Sequence, residues 1–164
     1  MITREHIAGG MTRECDICIH LFEKLGPDAF DYRPSEGQRS TLELLRYLSG
    51  CGIGGLRALA GSNWKLFGQT LERTKDMPPQ GFPSAMKTQR REIEEFFATT
   101  SEETLATQMA PTLPSGTMPL GAAILWGPFK WLAAYKLQLF LYAKATGAHD
   151  IATANAWAGI DWKA

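Results

Sequence analysis

Apolar residues recur at alternating spacings of four and three near the start of the chain: Met11, Cys15, Cys18, Phe22 and Leu25. That period belongs to an α-helix with one buried stripe. It predicts a first helix over residues 3–25, stopped by Gly26-Pro27-Asp28. Residues 30–39 are rich in turn formers and read as a loop. Ser40 or Thr41 then offers an N-cap, with Glu43 placing negative charge in the first turn of a second helix. Leu45, Leu48, Gly52, Leu56 and Leu59 mark its buried side. Its middle, Ser49-Gly50-Cys51-Gly52-Ile53-Gly54-Gly55, is costly, because each glycine loses about 1 kcal/mol relative to Ala inside a helix. Close helix packing, a kink, or room for a bound molecule would each account for that cost.

Residues 61–83 read as irregular, with a short helical piece near 66–73. Ser84 is the expected cap of a third helix reaching Thr99, with Ile93, Phe96 and Phe97 facing inward. Ser101 caps a brief further helix that residues 111–115 bring to an end. The last long helix starts near Met118-Pro119, is kinked at Gly127-Pro128 and ends at Gly147 as its C-terminal glycine. It is apolar almost all round, so it is expected to be the central helix. Trp157 and Trp162 follow it and are expected to pack on the bundle or on a partner. Four principal helices predict an all-α fold: one domain over residues 1–164, built as a four-helix bundle. One crossover must be long, since residues 61–83 exceed a hairpin loop.

A chain of 164 residues with 45% hydrophobic content can bury a substantial core. Charge changes the picture more. Lys plus Arg and Asp plus Glu are 17 each, which argues against a nucleic-acid or anionic-membrane partner. No apolar run approaches the roughly 20 residues of a membrane helix. Met1 to Gly10 lacks the apolar stretch of a signal peptide, so the expected setting is the cytoplasm. Three cysteines form no disulfide framework.

Along the last helix, at about 100° per residue, Ile124, Trp131, Tyr135, Gln138 and Tyr142 fall on one side. Lys130, Lys136 and Lys144 occupy another arc and are expected to be solvated. The aromatic side admits two readings: core packing, or the wall of a pocket whose phenol and indole groups serve as hydrogen-bonding handles. Cys15 and Cys18 form a CxxC, but in mid-helix, where no helix N-terminus lowers a thiol pKa; they read as structural. Cys51 lies one turn after Tyr47 and is expected to look into the same pocket. His6 and His20 are too far apart along one helix to share an ion, and His149 follows the last helix; all three read as surface residues. Asp16 with His20, Glu92 with Glu95, and Glu102 with Glu103 read as solvated faces.

Two segments carry a family resemblance. The first is Tyr32-Arg33-Pro34-Ser35-Glu36-Gly37-Gln38-Arg39-Ser40-Thr41-Leu42-Glu43-Leu44-Leu45-Arg46-Tyr47-Leu48. The second is Trp131-Leu132-Ala133-Ala134-Tyr135-Lys136-Leu137-Gln138-Leu139, followed by Tyr142 and Gly147. Together with the order of helices they resemble the DinB/YfiT-like superfamily of helical bundles. The resemblance implies a three-histidine metal site, with one ligand on the second helix and two on the last. Here the matching positions are Tyr47, Trp131 and Tyr135. An indole nitrogen has no available lone pair, and a phenol must lose its proton to bind a metal well. The implied metal site is therefore expected to be lost, with no cofactor in its place, and Tyr47, Cys51, Trp131, Tyr135 and Gln138 are the candidate lining of a pocket.

Two functions compete on these grounds. The first is a metal-free bundle that binds a small apolar or aromatic ligand, or serves as a dimeric structural module; the resemblance also implies a homodimer. The alternative is a thiol-dependent transferase or hydrolase of the kind the resemblance implies, metal-dependent if other ligands are supplied, or relying on Cys51.

Overall fold

The computed structural model describes residues 2–112 and 115–161. Four long helices form the body: α1 (Arg4–Phe22), α2 (Thr41–Ala60), α4 (Phe82–Thr99) and α7 (Lys130–Ala145). Helix α1 packs on α4 and α7, and α2 packs on the same two, so α1 and α2 sit diagonally across the bundle. The link from α2 to α4 holds a short helix, α3 (Lys65–Glu72), which lies against α2, and a single 3-10 turn at Pro79–Gly81. This is the long crossover that the sequence predicts.

Local chemistry explains most boundaries. Ser40 and Glu43 form a complete capping box: Glu43 N–H donates to the Ser40 hydroxyl at 3.2 Å, and Ser40 N–H donates to the Glu43 carboxylate at 2.7 Å. Arg33 pairs with the same carboxylate at 2.8 Å, and the Ser40 amide above all holds Glu43 below its usual pKa. Ser101 caps α5 (Glu102–Thr107), accepting from Thr104 N–H at 3.0 Å. Helix α4 starts three residues earlier than expected; Gly81, not Ser84, is its N-cap and Pro83 stands in its first turn. Helix α1 ends at Phe22, before the predicted Leu25.

Three elements depart from the predicted pattern. The segment after α5 pairs β1 (Met109–Pro111) with β2 (Thr117–Pro119) in antiparallel register, Ala110 opposite Met118; of the expected closing stretch, residues 113 and 114 lie outside the described residues. The last long helix is interrupted. A short α6 (Leu120–Ile124) runs into one π turn at Leu125–Phe129, which contains Pro128, and only then into α7. Pro128 cannot donate to the helical ladder, and a π turn absorbs the resulting defect. The tail forms α8 (Thr153–Ala158). Trp162 lies outside the described residues.

Helix α7 is not the central helix. Leu137 and Leu141 are 46% and 55% exposed on its outer side. That place belongs to α2, which is buried over nearly its whole length because α3, α4 and α7 all rest on it. Its glycines are the means. A Cβ on Gly50 or Gly54 would press on Leu71 or on Phe67 and Thr70 from α3, one on Gly52 would lie 2.8 Å from Leu132, and one on Gly55 would lie 2.6 Å from Pro128. Close packing on two sides is thus the reason for the glycine run. Gln89 of α4, fully buried, completes that contact: its carbonyl accepts from the Gly52 and Ile53 amides and its NH2 donates to the Leu48 carbonyl at 2.8 Å.

Lys136 is a second correction. Among the three lysines expected in solvent, Lys130 is exposed and Lys144 is half-buried, donating to the Ile151 carbonyl at 2.8 Å. Lys136 is only 5% exposed and lies 2.9 Å from the Glu14 carboxylate on α1. A charge is buried here because a partner 122 positions away in the chain neutralises it (136 − 14).

Candidate functional site

The register of α2 against α7 brings together the three positions at which the resemblance expects histidines. The Tyr47 and Tyr135 rings meet edge to face at 4.7 Å. Phe67 of α3 bridges them to Trp131, 6.2 Å from Tyr47 and 5.6 Å from Trp131, again edge to face. Trp64 closes the row 6.3 Å from Trp131. Such tilted pairs set a positive ring edge against a negative face. Over the solvent side lies the Arg39 guanidinium, 4.3 Å from the Tyr47 centroid and 5.5 Å from that of Tyr135. Gly55 makes the wall fit: a Cβ there would also stand 2.8 Å from the Trp131 ring.

Gln138 belongs to a neighbouring constellation. Its NH2 donates to the Tyr142 hydroxyl at 2.5 Å, and that hydroxyl donates to the Arg39 carbonyl at 3.0 Å. Arg39 therefore serves both groups, its backbone anchoring Tyr142 while its side chain covers Tyr47 and Tyr135. Cys51 faces the core. It is wholly buried, its Sγ lies 3.8 Å from the Leu48 carbonyl, and burial pushes the thiol from its ordinary value of 9.0 up to about 12. Cys15 and Cys18 are buried too, and burial raises both.

The donor chemistry of this wall does not fit a metal. Burial, reinforced by Cys51 and Tyr135, raises the Tyr47 phenol well above 10.0, so the phenolate form a metal requires is disfavoured. Trp131 offers no lone pair. The histidines are engaged or distant: His6 accepts from the Thr3 amide at 3.1 Å at the start of α1, His20 lies 3.0 Å from the Asn155 amide and 3.6 Å from Asp161, and His149 is exposed. Several acidic groups are occupied as well. Glu92 lies between Arg57 and Arg73, Asp16 meets Arg90, and Glu102 accepts from the Arg4 amide. Among the described residues no three His, Cys, Asp or Glu side chains converge.

What the sequence does not disclose is a cleft on the far side of Trp131. It holds about 410 Å³ and is lined chiefly by Leu59, Trp64, Met118, Trp126, Lys130 and Trp131. The end of α2, the start of α3, the β pair and the π turn each contribute a wall. Trp126, carried by the π turn, is 70% exposed at this cleft. Of the predicted lining residues, the cleft takes only Trp131. Tyr47 opens on a shallower hollow beside Arg39 and Arg46, and Gln138 on a third beside Leu137 and Leu141. A tryptophan just ahead of α3 and another in a π turn give no sequence signal of a shared site.

No family model matches this chain, and no curated protein matches it in sequence. A solved structure does match: a DinB-like protein from Bacillus subtilis, YjoA, with a TM-score of 0.67 at 17% identity, over 86% of this chain and 92% of that one. The fold is therefore DinB-like and all-α, as the arrangement of helices predicts. Among the described residues no helix is long and apolar enough to cross a membrane.

Proposed function

We propose that this chain is a DinB-like bundle in which an aromatic wall replaces the three-histidine metal centre, and that it binds a small aromatic ligand in the cleft beside that wall. One observation carries this reading. Trp131, which occupies an implied ligand position, packs one face of its surroundings against Phe67 and lines the open cleft with Trp64 and Trp126 on the other. Three indoles around a space of this size suit a flat apolar ring, and pockets of small ligands are built this way.

The test has two parts. Protein expressed with zinc and nickel supplied is expected to carry far less than one equivalent of either; a stoichiometric metal removed by Tyr47→Phe or Trp131→Phe would overturn the first half. Calorimetric titration with 2-naphthol is expected to give saturable binding that Trp131→Ala weakens at least tenfold. Absence of saturable heat up to millimolar ligand would overturn the second half. The thiol-dependent alternative draws no support from Cys51, whose buried thiol stays protonated.

A homodimer is the second reading, favoured by Leu137 and Leu141, which stand exposed one turn apart on α7. The partner proposed is a second copy, since a chain of zero net charge meets itself without repulsion. Sedimentation of Leu141→Glu beside the parent chain tests it; a monomeric parent at micromolar concentration rules it out.

A further inference from the structure

We infer that the cleft selects an aromatic carboxylate, a flat ring carrying one negative charge; this rests on the ligand-binding reading above and adds the charge of the ligand to it. The argument starts from Lys130. It is exposed, it is the first residue of α7, and it lines the cleft beside Trp126 and Trp131. No acidic side chain among the described residues lines that cleft with it. Nor does an aromatic face hold it: the cation–ring contacts of the described residues belong to Arg39, Lys136 and Lys144. An ammonium beside three indoles with no counter-charge is complementary to an anion. It opposes a cationic ligand, which the ring faces alone would favour.

The backbone fixes this arrangement. The π turn carries Trp126 and hands over to α7 at Lys130, four positions on, and turns of this kind recur at binding sites. It is held from behind, where Pro128 fits the notch that Gly55 leaves open. The one hydroxyl of the lining is engaged elsewhere. Thr112 spends its N–H on the Gly116 carbonyl and its hydroxyl on the Ser115 carbonyl, at 3.0 and 3.1 Å. Among the described residues, Lys130 is thus the one charged donor at the mouth.

Three probes of similar ring size decide the matter: 2-naphthoate, neutral 2-naphthol, and a naphthalene bearing a trimethylammonium group, each titrated by calorimetry at low and high salt. The expected order is carboxylate, neutral, cation, with the carboxylate about tenfold tighter than the neutral ring, the worth of one charge-assisted contact. Only the carboxylate should weaken as salt rises. Lys130→Met should bring 2-naphthoate and 2-naphthol to equal affinity, and an unchanged circular dichroism spectrum and thermal midpoint show the variant to be folded. Equal affinities, a preference for the cation, or a preference that survives Lys130→Met overturns this inference while the ligand-binding reading stands. Failure of all three probes to bind overturns both.

Discussion

Helix α7 buries two flanks, and they deal with polarity in opposite ways. Toward α2 it presents Trp131 and Tyr135 to other rings, a surface without buried ion pairs in which the Arg39 guanidinium sits over the faces of Tyr47 and Tyr135. Toward α1, one residue further along, it buries Lys136 against Glu14, with the exposed Trp157 of α8 resting 5.4 Å from the ammonium. Rings can be assembled piecemeal, because each edge-to-face pair contributes a small, separable amount of about 0.5–1.5 kcal/mol. A buried ion pair is all or nothing, because removing one partner strands the other in a low-dielectric interior. A side lined with rings can therefore change its function and keep its fold, whereas the ionic side cannot lose a single member cheaply.

The largest expected effect breaks the ionic side. Lys136→Met should cost about 3–5 kcal/mol in urea unfolding by leaving Glu14 unpaired, and adding Glu14→Leu should restore most of it. Tyr135→Phe, on the aromatic side, should cost under about 1 kcal/mol. Comparable losses from the two would show that the flanks are not distinct. Next in size is the notch behind the π turn. Gly55→Ala drives a Cβ into Pro128 and the Trp131 ring and should cost about 1–3 kcal/mol, read from the thermal midpoint.

Alkaline pH sharpens the picture of the core between the flanks. The Cys51 thiol titrates near 9.0 when unfolded and near 12 when folded, so its contribution is complete below pH 9 and is lost as pH rises toward 12. Stability should fall by about 1.4 kcal/mol per pH unit for that thiol alone, with Cys15 and Cys18 adding in the same direction. Urea midpoints at pH 8, 9 and 10 for the parent and for Cys51→Ala check it, and an unchanged slope in the variant would refute it. Smallest is Gly50→Ala. Its Cβ would meet the flexible end of Leu71 at 3.2 Å, and the roughly 1 kcal/mol gained in helix propensity should offset the crowding, leaving a net change near zero.

Much of the fold was legible because it is written locally. The period of Met11, Cys15 and Cys18, the Ser40–Glu43 box and the Ser101 cap each depend on residues a few positions apart. The site was legible only in part. Tyr47 and Tyr135 meet directly, because periodicity sets the facing sides of α2 and α7, while Trp131 joins them only through Phe67 of α3, which no period announces. Gln138 turned instead to Tyr142, and Cys51 turned into the core. Trp126 and Lys130 stand four positions apart, but the π turn between them shifts the phase of the helix, and Trp64 comes from a different element.

By itself, then, the sequence determined the principal helices, the caps of α2 and α5, the glycine run that lets α2 be enclosed, and the absence of imidazoles at Tyr47, Trp131 and Tyr135. Those are matters of residue type and of contacts within a few positions. Tertiary structure decided which charges are buried, which aromatic ring lines open space, and where Lys130 stands. These depend on partners far away in the chain: Glu14 for Lys136, Trp64 for Trp131. A period along one helix gives the direction of a side chain, but only a neighbouring element determines whether that direction meets water, a counter-charge or a cleft.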